Sequence, residues 1–221
     1  DDGCGRQLAS EIVSSPVWTY SLENPKSDLY VDGLVYHADS VCGVIYTPKG
    51  RASFYSPLVG NYNVANLLGA IGAGLYLDIP LEAMVEALPQ FPGVAGRMES
   101  VKVNPAQNIH VIVDYAHTPG GLETVLKALR QFTSRKLICV FGCGGDRDAT
   151  KRPKMGAIAA AFADILIVTS DNPRTEKPQQ ILRDIVAGIP PTTQFKTICD
   201  RAEAIDTAIA DAQSGDLVLI A

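Results

Sequence analysis

The sequence predicts an α/β fold: a mainly parallel sheet with helices on both faces, preceded by the end of a second α/β domain that carries a small antiparallel β part. Three observations point there. From residue 110 onward, short apolar β-rich runs alternate with helical runs, the pattern of parallel strands joined by crossover helices. Between residues 29 and 55, β-rich pieces follow one another at hairpin spacing instead. Residues 91–99 read Phe-Pro-Gly-Val-Ala-Gly-Arg-Met-Glu, where two glycines and a proline break the pattern. The expected domains are therefore residues 1–96 and 97–221.

Taken in order, residues 7–14 read as a short helix and residues 17–20 as a short parallel strand. Residues 29–31, 34–37, 41–46 and 52–55 are β-rich, separated by Asp32-Gly33, Ala38-Asp39-Ser40 and Pro48-Lys49-Gly50. His37 is expected on an exposed hairpin, with no ligand partner at metal-binding spacing. Residues 60–66, Gly-Asn-Tyr-Asn-Val-Ala-Asn, open a long helix through Leu67, Leu68, Ile71, Gly74 and Leu75. Asn63 and Asn66 are three apart and share a face near its start. One asparagine suffices as a cap; several on one turn also suit recognition of a polar ring such as adenine. Pro80 starts a second helix, residues 81–88. Strands then follow at residues 110–113, 137–141, 165–169, 194–198 and 217–220, with helices at residues 119–132, 153–162, 178–187 and 201–212. In the first of these helices Leu122, Val125, Leu126 and Leu129 repeat at i, i+3, i+4 and i+7, behind Thr118 as N-cap and Pro119 at the first helical position.

Composition narrows the function. In 221 residues, 47% are hydrophobic and 19% charged, as in a globular protein. The net charge of −5 carries no sign of a nucleic-acid surface. No apolar run reaches the roughly 18 residues of a membrane span. Five scattered cysteines without a C-x-x-C pair fit a reducing, cytoplasmic compartment. Cys143 is not expected to be a nucleophile, since no histidine is near it in sequence. Both ends read as cut: a helical segment starts without a strand before it, and a buried strand stops at Ala221 without its loop.

In parallel βα units, every loop that follows a strand emerges on one rim, where ligands bind. Three such loops are rich in polar groups. The first is Asp114-Tyr115-Ala116-His117. The second runs from Gly142 through Cys143-Gly144-Gly145-Asp146-Arg147-Asp148 to Lys151, Arg152 and Lys154. The third is Asp171-Asn172-Pro173-Arg174. Cations beside a helix N-terminus oppose the macrodipole unless an anion sits among them. Arg174 offers a planar fork for a carboxylate, and Asp171 and Asn172 can bind an ammonium group, so together they suit an amino acid. Arg97, at the domain junction, can reach a phosphate. The second loop is neither G-x-G-x-x-G nor a P-loop.

These motifs resemble the Mur ligase family. The likeness rests on residues 60–66, on Gly96-Arg97-Met98-Glu99, on Asp114-Tyr115-Ala116-His117-Thr118-Pro119, on residues 141–148, and on Asp171-Asn172-Pro173-Arg174. It implies the end of a central ATP-binding domain followed by a Rossmann-like C-terminal domain that binds the incoming amino acid. It implies ATP contacts at Asn63, Asn66, Arg97, Asp114 and His117. It also implies a meso-diaminopimelate pocket at Arg147, Asp171, Asn172, Pro173 and Arg174; arginine at 174 is what the diaminopimelate-adding members carry. The implied reaction uses ATP and Mg2+ to join meso-diaminopimelate to UDP-MurNAc-L-Ala-D-Glu through an acyl phosphate, in peptidoglycan synthesis. No protein-held metal site and no catalytic side chain is assigned. A cytoplasmic monomer with small-molecule partners, and with neither nucleic acid nor membrane, is expected. The family's P-loop, carbamylated lysine and UDP-sugar domain do not occur in these residues, so the chain is expected not to turn over unaided. Two other readings are an NAD(P)-binding oxidoreductase domain and an amino-acid- or nucleotide-binding module without catalysis.

Overall fold

The computed structural model describes residues 3–37, 39–101, 108–131 and 133–221. The expected turn residue Ala38 and the expected helix end at Phe132 lie outside them. The chain divides into two compact units, Asp1–Gly93 and Val94–Ala221.

The first unit begins with helix α1 (Gly3–Glu11), none of whose residues is buried. Strand β1 (Tyr20–Ser21) pairs in parallel with the start of β2 (Leu29–Tyr36), and β3 (Val41–Thr47) and β4 (Gly50–Ser56) complete an antiparallel meander in the order β1-β2-β3-β4. Asp32-Gly33, expected as a turn, lies inside β2. Gly33 takes a left-handed φ of 61° and the pairing register shifts between Asp32 and Val35, so the segment is one bulged strand. Helix α2 (Asn61–Tyr76) and helix α3 (Leu81–Ala87) follow, and a 3₁₀ turn over Leu88–Gln90 ends the second earlier than the sequence suggests. Alternate residues of the sheet (Leu29, Val31, Ile45) meet the apolar stripe of α2 (Val64, Leu68, Ile71, Leu75), two periodicities closing one core.

The second unit opens with β5 (Glu99–Val101), an edge strand that the sequence reading lacks. It pairs antiparallel with β6 (His110–Val113). There follow α4 (Pro119–Arg130), β7 (Leu137–Phe141), α5 (Lys151–Phe162), β8 (Ile165–Thr169), α6 (Pro178–Val186), β9 (Phe195–Ile198), α7 (Arg201–Asp211) and β10 (Leu217–Ile220). Among the described residues the sheet runs β5-β6-β10-β7-β8-β9, parallel apart from β5. Every residue of β7 is buried, which is why it reads as one apolar run and not as alternation. Helices α4, α5 and α6 pack side by side. Ala204 and Ala208 of α7 pack on Val111, Ile138, Val140 and Val218. The last strand returns between β6 and β7, so the connection direction reverses there. That reversal is the switch point at which open α/β sheets hold ligands.

Candidate functional site

Above the switch point lies a hollow of about 180 Å³. Its walls come from the loops after β6 (Asp114, Tyr115, His117), β7 (Gly142, Cys143, Gly144) and β8 (Asp171), with Lys151 and Arg201. A larger hollow of about 370 Å³ in the first unit is lined by Trp18, Tyr20, Tyr76 and small or apolar residues, with no charged side chain.

Asp114 is the buried charge of the rim. Its N–H extends the ladder to the Ile220 carbonyl at 3.0 Å, and its Oδ2 accepts the Met98 N–H at 2.9 Å. Burial raises its pKa above the ordinary carboxylate value, against the opposing pull of the Met98 N–H and the Arg97 charge. Arg97 is exposed and stacks over the Tyr115 ring, 4.8 Å from its centroid. The His117 ring lies 4.9 Å from that of Tyr115, and its Nδ1 is 3.0 Å from the Tyr115 carbonyl. Lys151 Nζ donates to the His117 carbonyl at 2.6 Å, tying the first loop to the start of α5.

The second and third loops interlock. Gly145 N–H donates to the Asn172 carbonyl at 2.8 Å, and Arg174 Nη1 donates to the Gly145 carbonyl at 2.6 Å. Thr175 Oγ1 and N–H both donate to the Asp146 carboxylate, at 2.7 and 3.2 Å. The glycines serve this contact. A Cβ on Gly145 would stand 1.9 Å from the Pro173 carbonyl oxygen, and one on Gly142 2.6 Å from that of Thr169. Neither position accepts a side chain, and the glycines pack loop on loop where a dinucleotide fingerprint would admit a pyrophosphate.

The four cations of the second loop are not equivalent. Arg152 is 2% exposed and paired with Glu176 and Asp184, so carboxylates of the chain itself, not a ligand, answer much of the helix-end charge. Arg147 is exposed, and no hydrogen bond or ion pair among the described residues engages it. Asp171, Asn172 and Arg174 are exposed on the rim, and Pro173 is half-buried. Cys143 is buried, which pushes its thiol up to about 11; the sulfur is protonated at neutral pH and is no thiolate nucleophile.

Asn63 and Asn66 lie in the first unit, on the first turns of α2. Gly60, at φ 93°, is the N-cap and makes no side-chain bond; Asn63 instead donates its amide to the Val59 carbonyl at 2.7 Å, and Asn66 is exposed. Neither caps the helix through a side-chain oxygen.

The sequence places Lys151 and Tyr115 in the polar loops without a role of their own, and Arg201 is absent from that reading. Arg201 follows β9 after a loop of two residues, donates Nη2 to the Ala221 carbonyl at 3.1 Å, and keeps Nη1 buried without a partner among the described residues. The rule that nominated the other three loops, polar groups directly after a parallel strand, also covers it. No group of three metal-ligating side chains occurs among the described residues, so Mg2+ has no ready-made protein cage here.

Comparison with known proteins agrees with this architecture. The family description "Mur ligase middle domain" matches residues 1–74, and "Mur ligase, glutamate ligase domain" matches residues 96–221. The UDP-N-acetylmuramoyl-L-alanyl-D-glutamate--2,6-diaminopimelate ligase of Trichormus variabilis is 57% identical over all 221 residues, which cover 45% of that relative. A solved structure of a ligase of that name is 38% identical, with a TM-score of 0.68 over 97% of this chain and 44% of that one. The folylpolyglutamate synthase of Mycobacterium tuberculosis, solved with ADP and AMPPCP, shares the fold at 21% identity and a TM-score of 0.69 over 88% of this chain and 45% of that one. The chain thus spans a little under half the length of the curated relatives it matches. With one family description covering more than half of its residues and another its beginning, the chain belongs to the Mur ligase family.

Proposed function

We propose that this chain is the segment of an ATP-dependent ligase that receives an amino acid and nucleotide phosphates, and that the whole protein adds meso-diaminopimelate to UDP-MurNAc-L-Ala-D-Glu by way of an acyl phosphate. The observation that carries the reading is the interlock of the glycine loop with residues 171–174. It leaves a guanidinium (Arg174), a carboxylate (Asp171) and a cation unpaired among the described residues (Arg147) exposed on one rim. An amino acid whose side chain ends in a second carboxylate and ammonium needs such a mixed set. The identity of 57% to a relative named for that activity supports the choice of substrate.

In this reading Arg174 and Arg147 hold carboxylates, while Asp171 and Asn172 take an ammonium and orient the attacking amine. Arg97, over the Tyr115 ring, and Lys151 are the cations suited to phosphate oxygens of ATP, beside the buried Asp114 and the exposed His117. Asn63 and Asn66 are assigned to the adenine from the family resemblance; the Oδ1 of Asn63, which has no partner among the described residues, is compatible with that. Mg2+, when bound, would neutralise developing charge at the phosphates; among the described residues no group of three metal-ligating side chains is preassembled to hold it. The domain boundary near residue 96, a cytoplasmic location and a monomeric state belong to the same proposal.

The test is Arg174→Ala in a full-length ligase carrying this chain. The KM for meso-diaminopimelate should rise about ten- to a hundredfold, the effect of losing one charge-assisted pair worth roughly 1.5–3 kcal/mol. The KM for ATP should stay level. An unchanged KM for the amino acid removes Arg174 from the pocket. Binding of amino acid and ATP without turnover in the full-length wild-type protein would favour a non-catalytic binding module.

A further inference from the structure

We infer that Arg152 is a positioning residue: it holds the two amino-acid-binding loops in register from below and never meets the substrate. This rests on the reading that Arg174 faces a substrate carboxylate.

The geometry is specific. Arg152, in the first turn of α5, is 2% exposed. Its Nη1 and Nη2 donate to Glu176 Oε2 and Oε1 at 2.9 and 2.7 Å, a two-pronged pair, and Nη1 donates again to Asp184 Oδ2 at 2.8 Å. Glu176 stands two residues beyond Arg174. Its Oε1 also accepts the Asp146 N–H at 2.6 Å, so one carboxylate ties the third loop to the glycine loop and both to the helix that follows the glycine loop. Asp146 and Arg174 carry φ values of 51° and 50°, left-handed conformations that side-chain-bearing residues hold only under constraint. The constraint is visible as a ladder: Gly145 to Asn172, Arg174 to Gly145, Thr175 to Asp146, and Asp146 to Glu176. Glu176 is the rung nearest the buried guanidinium. Lysine could not replace it, because an ammonium lacks the planar fork that grips one carboxylate twice and reaches a second.

Asp184 separates the two roles that Arg152 could have. It sits on α6 and bonds Arg152 and Gln180, but it bonds neither the glycine-loop residues 142–148 nor residues 171–176. A purely structural ion pair predicts that breaking either half acts alike. A positioning role predicts that only the Glu176 half reaches the substrate.

The experiment uses the full-length ligase with Glu176→Gln, Asp184→Asn and Arg152→Lys, reading melting temperature and the KM values for meso-diaminopimelate and ATP. All three variants should melt lower. Glu176→Gln and Arg152→Lys should raise the KM for meso-diaminopimelate about tenfold, with the KM for ATP held. Asp184→Asn should leave both KM values within about twofold. If Glu176→Gln does not fold, Glu176→Asp keeps the charge but cannot reach Arg152 and the Asp146 N–H together, and the same rise is expected. Equal effects of the Glu176 and Asp184 variants on KM, or none from either, would overturn the inference. The Arg174→Ala variant separates the two failures. If it raises the KM while Glu176→Gln does not, only the positioning role falls; if it does not, the pocket itself falls.

Discussion

Asp114 shows at the scale of one residue how a buried carboxylate weighs against folding. The residue is 8% exposed, and burial raises its pKa. A carboxylate whose folded pKa exceeds its unfolded one contributes its full stability below the unfolded value, and that contribution is lost as pH rises through the folded pKa. At neutral pH the ionised group is therefore destabilising where it sits. Asp114→Asn keeps an acceptor for the Met98 N–H and removes the charge. Stability to urea at pH 7 should rise by about 0.5–1 kcal/mol, while nucleotide binding by the full-length protein weakens. A fall in stability would mean that the Arg97 charge outweighs burial. Asp114 was legible in the sequence because a polar residue stood directly after an apolar strand. Arg152 was not: four cations in a row look alike until Glu176 and Asp184, 24 and 32 residues further on, are found beside one of them. Linear spacing carries no information about which cation is neutralised.

The elements divide in the same way. Helix α4 was legible to its first residue, since Thr118 accepts the Gly121 N–H at 3.1 Å and Pro119 occupies the first helical position. Thr118→Ala should lower stability by about 1 kcal/mol, measured as the shift of the urea midpoint. The same change should loosen the His117 loop that the cap ends, seen as faster hydrogen exchange at residues 115–117. Slowed exchange there would contradict the role of the cap. Strand β5 escaped detection because three residues carry too little periodicity to register. Asp32-Gly33 misled for a different reason. The dipeptide is a turn signal only when the flanking strands pair with each other, and here both halves pair with β3. The start of α5 at Lys151, two residues before Pro153, keeps the proline within the first turn, where its missing N–H is harmless.

Across the whole molecule, charge is unevenly shared between the units. Asp148, Asp164, Glu176 and Asp184 of the second unit all have lowered pKa values: Asp148 through its Thr150 hydrogen bonds, Asp164 because the Leu137 N–H and Arg130 outweigh its burial, Glu176 and Asp184 through Arg152. In the first unit the comparable case is Asp78, held down by its hydrogen bond from Lys49. Depressed carboxylates contribute stability above their unfolded pKa values, and that stability is lost as pH falls through the folded ones. The second unit should therefore hold its urea midpoint down to about pH 5 and weaken below about pH 4, with protonation of Asp114 offsetting part of the loss. Trp18, the single tryptophan, packs against the core of the first unit. Between pH 7 and pH 3.5, the midpoint followed by circular dichroism should fall further than the one followed by Trp18 fluorescence. Coincident curves would mean that the units do not unfold separately. From β6 onward, the alternation of strands and helices, the three polar loops and their common rim followed from the sequence alone, because periodicity and strand-to-loop direction are local properties that any parallel βα chain obeys. Which strand entered between β6 and β7, which cation was buried and which carboxylates met it were decided only by tertiary packing. These depend on contacts between residues distant along the chain, and the energies that select them arise only when the sheet has closed around them.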